Sequence, residues 1–196
     1  MFEAVVIGVS AGGMQALREL LSALPANFPI PITIVQHIKA QSDTFLSEYL
    51  NDSSALKVKE AEDKESMCAG TVYLAPPGYH LLIESDASLS LSVDEKVNYC
   101  RPAIDPLFES AADVFGEQLI GVVLTGANAD GARGLKVIKE YGGYAIVQNP
   151  KTAEVPYMPQ AAISLVEVDQ VVDLENIAPL LVKLSERRQY GTGTQG

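Results

Sequence analysis

The sequence predicts a three-layer α/β protein with a doubly wound, mostly parallel sheet and helices on both faces. Short, uninterrupted apolar runs recur along the chain, and such runs are typical of strands that are buried on both sides. Segments with helical spacing of apolar residues follow most of these runs. Strands that alternate with helices form parallel sheets with helices on both faces.

The first half of the chain shows this alternation twice. Residues 4–9 are apolar and rich in β-branched side chains, which predicts a first buried strand. A helix with apolar positions from Met14 onward follows, and Pro25 ends it. Residues 31–36 predict the second strand, and a second helix is expected over residues 42–51.

The middle of the chain predicts a small β-rich insert with antiparallel pairing. Three short strands are expected at residues 71–75, 80–84 and 89–93. The turn segments Pro76-Pro77-Gly78 and Ser85-Asp86 separate them.

The second half returns to alternating strands and helices. Asp105 followed by Pro106 predicts a helix start, with the aspartate as N-cap and the proline at the first helical position. The other predicted elements are strands at 119–124 and 144–148 and helices at 131–141, 159–164 and 174–186. We therefore expect one domain over residues 1–187 and a disordered tail over residues 188–196.

Composition narrows the classes of function. The 196 residues carry a formal net charge of −11, which disfavours binding to nucleic acid or to an anionic membrane surface. No signal peptide or membrane-spanning run is recognisable, so we expect a cytoplasmic protein. Cys68 and Cys100 are expected to be free thiols, with one disulfide as the alternative. Neither the cysteines nor the two histidines have metal-site spacing, so no metal or organic cofactor is expected.

Three polar residues stand where three predicted strands end. Ser10 follows the first strand, His37 follows the second, and Asp130 lies in the loop after the strand at 119–124. Ligands of parallel α/β sheets bind at the carboxyl ends of the strands, so neighbouring strands would bring these side chains together.

The three residue types are those of a catalytic triad. A serine hydroxyl needs an adjacent base to become a nucleophile, a histidine can accept and return the proton, and a carboxylate orients the histidine. Ser10 lies in Gly8-Val9-Ser10-Ala11-Gly12, which has the G-x-S-x-G form of a sharp strand-to-helix turn. Amides of this turn, or of the loop before Asp130, are candidates to stabilise an oxyanion. Taken singly, the serine and the aspartate also fit helix-cap or turn roles, and the histidine fits a structural role.

A dinucleotide-binding loop is a competing interpretation of the first turn. Gly8-x-Ser10-x-x-Gly13 resembles G-x-G-x-x-G, but serine replaces the glycine at which the backbone approaches the pyrophosphate. Gln36-His37 also stands where an acidic ribose ligand is expected at the end of the second strand. We therefore favour the triad.

Three further residues have both a functional and a structural interpretation. His80 follows a proline-rich turn in the predicted insert and is not expected to take part in catalysis. Arg101 and Arg133 are the basic residues expected nearest the site. They fit surface or structural ion pairs, or contacts to an acidic receptor helix or a product carboxylate.

Eight segments resemble the catalytic domain of the bacterial chemotaxis protein-glutamate methylesterase (CheB-type) family. They occur in the family's order over residues 4 to about 173. The segments are 6–13 (V-I-G-V-S-A-G-G), 34–37 (I-V-Q-H), 59–63 (K-E-A-E-D), 72–76 (V-Y-L-A-P), 100–105 (C-R-P-A-I-D), 123–132 (V-L-T-G-A-N-A-D-G-A), 148–149 (Q-N) and 158–159 (M-P).

The resemblance implies a function and a site. Family members hydrolyse γ-glutamyl methyl esters on cytoplasmic helices of methylated chemoreceptors, releasing methanol, and some also deamidate glutamines there. The nucleophile, base and orienting aspartate of the family correspond to Ser10, His37 and Asp130. A non-catalytic receptor-binding module of the same fold is the alternative, and a hydrolase acting on another ester or amide is a third hypothesis.

The sequence departs from the family pattern in two respects. Ala11 stands where a hydroxyl residue is common, and Ala127 and Asn128 replace methionine and glycine in the loop before the aspartate. A changed loop shape would lower the rate or alter the substrate preference. The best-known members also carry a receiver domain ahead of the catalytic domain, so we expect either a free-standing member or an excised catalytic domain.

Overall fold

The computed structural model describes residues 1–38 and 45–186. Within these ranges the chain forms nine strands, six α-helices and one short 3-10 helix (Gly116–Gln118). The strands are β1 (Ala4–Val9), β2 (Ile32–Gln36), β3 (Lys57–Glu60), β4 (Thr71–Leu74), β5 (His80–Ile83), β6 (Leu89–Ser92), β7 (Leu119–Val123), β8 (Tyr144–Gln148) and β9 (Gln170–Val172). The helices are α1 (Gly13–Ser22), α2 (Phe45–Ser53), α3 (Ile104–Phe115), α4 (Ala132–Glu140), α5 (Tyr157–Leu165) and α6 (Leu174–Glu186).

Seven strands form one parallel sheet in the order β3-β4-β2-β1-β7-β8-β9. The central strand, β1, pairs with β2 on one side and with β7 on the other. The chain therefore changes direction across the sheet at β1, which is the switch point where α/β proteins bind ligands. The predicted fold class is confirmed.

Helices cover both faces of this sheet. Val5, Ile7 and Val9 of β1 point into a core formed with α1, α2 and α6. The alternate residues Ala4 and Val6 point into a second core formed with α3, α4, α5 and the β5–β6 hairpin. Because successive strand side chains face opposite sides, a strand between two cores must be apolar at every position, and all six residues of β1 are buried.

The predicted antiparallel insert is smaller than expected. Among the strands of the described ranges, β5 and β6 alone pair antiparallel, whereas β4 lies in the main sheet between β2 and β3. The assignment of β4 to the insert was therefore wrong. The sequence analysis also missed β3, since its alternating Lys57-Val58-Lys59-Glu60 is an edge strand with little apolar signal, and the exposed edge strand β9.

The start of α3 differs from the prediction as well. The helix begins at Ile104 with Ala103 as its N-cap, so Asp105 lies inside the first turn and is buried. Its carboxylate accepts hydrogen bonds from the amides of Gly131 and Gly134, at 3.0 and 2.7 Å, and so caps α4 instead of α3. The predicted start of the second helix before residue 45 and the predicted tail at 188–196 lie outside the described residues.

Candidate active site

The three predicted side chains meet at the carboxyl edge of the sheet. Ser10 follows β1, His37 follows β2, and Asp130 lies in the loop that joins β7 to α4. His37 Nδ1 lies 3.1 Å from Ser10 Oγ, and His37 Nε2 lies 2.7 Å from Asp130 Oδ2. The chain thus brings all three together in one hydrogen-bonded row.

The His37 ring can act as a base toward Ser10. Asp130 is acceptor-only when ionised, so its contact with Nε2 places the ring proton on that nitrogen. Nδ1 then carries the lone pair that faces the serine hydroxyl. The two nitrogens have the reverse order of those in the chymotrypsin triad, but each performs the same task.

Within the described part of the chain, five donors hold Asp130. Its Oδ2 accepts from His37 Nε2 and from the Ile104 amide, both at 2.7 Å. Its Oδ1 accepts from Asn98 Nδ2 at 3.0 Å and from the amides of Asp105 and Gly131 at 3.2 and 3.1 Å. Only 1% of the Asp130 surface is exposed, so protein groups and not solvent orient its carboxylate.

These donors also set the charge of Asp130. Burial by itself would raise the pKa of the carboxyl, but the hydrogen bonds from His37, the Ile104 amide and Asn98 outweigh it and lower the pKa below the ordinary value. Asp130 is therefore a carboxylate at neutral pH. An ionised group at this position stabilises the imidazolium that forms when His37 takes a proton.

Ser10 projects from a turn that leaves its hydroxyl uncommitted to capping. Gly12 is the N-cap of α1, with φ of 77°, and no side chain caps this helix. The turn is closed by the Gly13 amide donating to the Ser10 carbonyl at 2.9 Å. Because the Ser10 hydroxyl faces His37 instead of the helix, the helix-cap interpretation of Ser10 is wrong.

A cavity of about 670 Å³ opens beside Ser10. Its wall is largely apolar, and it runs from the Ser10 turn across the start of α1 toward α2 and β4. Residues that line it include Ser10, Ala11, His37, Leu46, Leu74 and Glu154. Glu60 also lines it, and burial raises the pKa of that carboxyl. The cavity can hold a side chain whose reacting carbon lies next to Ser10.

The other three candidates have structural roles. His80 is buried; its Nε2 donates to the Glu95 carbonyl at 3.0 Å and its Nδ1 accepts from the Ala103 amide at 3.2 Å. Arg101 Nη1 donates to the carbonyls of Val93 and Asp94. Arg133 pairs with Glu109, with Nη2 to Oε1 at 2.8 Å. These contacts favour the structural interpretation of each residue.

Sequence reasoning did not predict the contacts that Asn98, Cys100, Asp105 and Asn128 make in the site. Asn98 donates to Asp130 and also to Asp105 Oδ2, at 3.2 Å, so one amide group joins two buried carboxylates. Cys100 Sγ lies 3.8 Å from His37 Nδ1, and Asn128 Oδ1 accepts from the Asp130 amide at 3.1 Å. The signal available for Cys100 and Asp105 was their place in a motif of the family, but it did not show what they contact.

No metal-binding group or membrane-spanning helix is found in the described ranges. There, no three His, Cys, Asp or Glu side chains are arranged to hold a metal ion. No described helix is long and apolar enough to cross a membrane. Both cysteines are free thiols.

The fold and the site together define a class: doubly wound α/β proteins with serine, histidine and aspartate in one row at the carboxyl edge of the sheet. The family model for the CheB methylesterase matches residues 5–181. The chain therefore belongs to the CheB methylesterase family.

Two named relatives and one crystal structure support this family membership. The putative protein-glutamate methylesterase/protein-glutamine glutaminase of Leptospira interrogans is 55% identical over 185 residues, which cover 94% of this chain and 96% of that protein. Protein-glutamate methylesterase/protein-glutamine glutaminase 1 of Carboxydothermus hydrogenoformans is 47% identical over 179 residues, covering 89% of this chain and 53% of that protein. The crystal structure of the Thermotoga maritima CheB methylesterase catalytic domain matches with a TM-score of 0.90 and 36% identity, covering 94% of this chain and 99% of that domain.

Proposed function

We propose that this protein hydrolyses γ-glutamyl methyl esters on methylated chemoreceptors, with Ser10 as nucleophile, His37 as base and Asp130 as the orienting carboxylate. One observation carries the proposal: the serine, histidine and aspartate form a hydrogen-bonded row beside an open cavity. Membership in the CheB methylesterase family supports the ester as substrate. The substrate helices of such receptors are cytoplasmic, and we propose that compartment for the protein.

The first half of the reaction forms an acyl-enzyme. His37 Nδ1 takes the proton from Ser10 Oγ as the oxygen bonds to the ester carbonyl carbon. The resulting oxyanion is stabilised by backbone amides of the site, and Asp130 stabilises the charged imidazolium. When the bond from carbon to the methoxy oxygen breaks, His37 returns its proton to that oxygen and methanol leaves.

The second half regenerates the serine. A water molecule gives a proton to His37 while its oxygen bonds to the acyl carbon. The bond to Ser10 Oγ then breaks, and Ser10 recovers the proton from His37. The products are a glutamate side chain and free enzyme. No cofactor enters either half of the reaction.

Glutamine deamidation uses the same steps with a different leaving group. Attack of Ser10 on a carboxamide, followed by proton return from His37 to nitrogen, releases ammonia instead of methanol. The relatives from Leptospira and Carboxydothermus carry protein-glutamine glutaminase in their names. We therefore propose deamidation as a second activity of the same site.

The non-catalytic module is the weaker candidate. Its motivation was Ala127 and Asn128, which depart from the family's loop. In the structure Asn128 supports this loop through its bond to the Asp130 amide, and the three catalytic groups remain in contact. An intact row of this kind argues for turnover.

The test is methanol release from receptor-containing membranes that carry radiolabelled methyl esters. We expect labelled methanol to appear in proportion to enzyme and time. Unmethylated receptor with glutamine at the same sites serves in parallel, with deamidation read by mass spectrometry as conversion of glutamine to glutamate. Absence of methanol release from a matched receptor would refute the esterase function, whatever the result for glutamine.

A further inference from the structure

Gln36 joins the two loops that carry the nucleophile and the base. Its Nε2 donates to the carbonyl of Ser10 at 2.9 Å and to the carbonyl of His37 at 3.1 Å. Gln36 is the last residue of β2, so its main chain is fixed by the sheet while its side chain spans the gap to the end of β1. A single amide group thus contacts two peptide groups of the site, and it shares the Ser10 carbonyl with the Gly13 amide, which donates to it at 2.9 Å.

The Ser10 carbonyl matters because of the amide on its other side. In a trans peptide the C=O and the following N–H point in opposite directions. A donor that fixes the Ser10 carbonyl therefore also fixes the direction of the Ala11 N–H. Among the described residues, no acceptor takes this N–H. Ala11 is exposed and lines the cavity beside Ser10.

The amide after the nucleophile is the group that a G-x-S-x-G turn offers to an oxyanion. Thr125 Oγ1 donates to the Ala11 carbonyl at 2.8 Å, which holds the next peptide group of the turn. The turn is therefore fixed by side chains on both sides of Ala11. On the side of Ser10, Gln36 supplies the side-chain contact and the Gly13 amide a backbone contact.

The packing around Gln36 indicates that its buried side chain has an energetic cost. Its Oε1 is buried, and no donor among the residues that the structure describes reaches it. A buried acceptor without a donor destabilises the folded state. A Cβ atom on Gly13 would collide with this oxygen, so the glycine leaves the room that Gln36 occupies. An apolar residue would avoid the cost but would lose both contacts.

We propose that Gln36 is a positioning residue that aims the Ala11 amide at the oxyanion and holds the backbones of Ser10 and His37 in reacting register. The inference rests on the proposed function, because it assigns Gln36 a role in that reaction. Gln36 itself touches no reacting atom. Its effect passes through the Ser10–Ala11 peptide group.

The first test compares Gln36→Leu with the wild type and with Gln118→Leu. Gln118 likewise donates its side-chain amide to a backbone carbonyl, that of Met1, but it lies just before β7, away from the site. We expect Gln36→Leu to lower kcat on the order of 10- to 100-fold, below the loss expected when an oxyanion donor is removed outright. KM for the methylated receptor should stay within about twofold, because Gln36 borders the cavity but its amide group is committed to the carbonyls of Ser10 and His37. Gln118→Leu should keep both constants.

A merely structural role is separated by labelling and by pH. A fluorophosphonate that phosphonylates Ser10 counts the folded active sites, so kcat is expressed per labelled site. In Gln36→Glu the carboxylate faces two carbonyl oxygens, whereas the protonated acid can again donate to one of them. The kcat ratio of Gln36→Glu to wild type should therefore rise as the pH falls from about 8 to about 6, because burial raises a carboxyl pKa. The same ratio for Gln36→Leu should stay flat.

The outcomes separate the inference from the function on which it rests. If the wild type hydrolyses the ester and Gln36→Leu matches it per labelled site, the positioning role is refuted and the proposed function stands. A pH-independent ratio for Gln36→Glu also refutes the role, since it means that the lost donor is not what matters. If the wild type neither labels at Ser10 nor releases methanol, the proposed function itself has failed.

Discussion

Cys100 Sγ lies 3.8 Å from Nδ1 of His37, the ring nitrogen that also faces Ser10 Oγ at 3.1 Å. A free thiol therefore lies beside the proposed base, in contact with the same ring nitrogen as Ser10 Oγ. Burial, reinforced by the charge of Asp130, raises the pKa of this thiol, so it is mainly protonated at neutral pH.

This position predicts that thiol alkylation inactivates the protein through Cys100. A maleimide adduct on Sγ would occupy the space in front of His37 and block the ester. Inactivation should be slow at neutral pH and faster as the pH rises, because the thiolate is the reactive form. The measurement is the loss of methylesterase activity with time of treatment. Cys68→Ala, which removes the exposed thiol, should be inactivated like the wild type. Cys100→Ala should resist, and its inactivation at the wild-type rate would contradict the assignment.

Replacing Asp130 by asparagine should remove most of the catalysis. The carboxamide can present its NH₂ group to His37 Nε2, which favours the wrong ring tautomer and no longer stabilises the imidazolium. We expect kcat to fall on the order of 10³- to 10⁴-fold. Thermal unfolding of the variant, recorded alongside, separates this loss from loss of fold. Asp52→Asn, on the exposed surface of α2, is the matched control. A variant within tenfold of wild type would show that Asp130 does not orient the base.

Ionisation of Asp105 should make the folded protein less stable as the pH rises. Burial is the main cause that raises the pKa of Asp105 above its ordinary 3.8, and the nearby charge of Asp130 adds to it. Between the unfolded and the folded pKa the folded state binds more protons, so this group lowers the free energy of unfolding as the pH rises through that window. Asp105→Asn cannot ionise. Its stability relative to wild type should therefore improve from about pH 4 to about pH 7 in urea titrations. If the stability of Asp105→Asn relative to wild type instead decreases over this range, the predicted pH dependence is wrong.

Gly131 should tolerate alanine less well than Gly70 does. Both have a positive φ, 89° and 75°, so alanine is strained at either position, by about 1–2 kcal/mol. At Gly131 a Cβ would also lie 2.7 Å from Ile104 Cγ2, whereas nothing lies within 4 Å at Gly70. Overpacking should add about 1–3 kcal/mol to the loss in Gly131→Ala, measured by urea unfolding. Equal losses would mean that Ile104 moves aside freely.

The sequence predicted the parts of the fold that local pattern encodes. The buried strands β1, β2, β7 and β8 are apolar at nearly every position, and their ends therefore predicted where Ser10, His37 and Asp130 would lie. The sequence of β4 fits parallel and antiparallel pairing equally well. Only its tertiary contacts determine that it pairs with β2. The polar edge strand β3 carries too few apolar side chains to be recognised.

The supporting contacts of the site could not be predicted, because they join residues far apart in the chain. Asn98 meets Asp130 across 32 positions, and Asp105 meets Gly134 across 29. The sequence pattern predicted that Asp105 caps the helix that begins next to it, α3. Its carboxylate instead caps α4, the helix packed beside α3. In the sequence, Gln36 was noted only because Gln36-His37 stands where a dinucleotide-binding loop would have an acidic residue. Its proposed role rests on its distance to the Ser10 carbonyl, which the sequence does not give.

Methanol release by wild type and by Ser10→Ala, from the same methylated receptor, tests the central claim most directly. The variant keeps the fold and the cavity but lacks the nucleophile, so release should fall on the order of 10⁴- to 10⁶-fold, to the background of the receptor alone. Release that survives in Ser10→Ala would contradict the account, since it would remove Ser10 from the mechanism while leaving the activity in place.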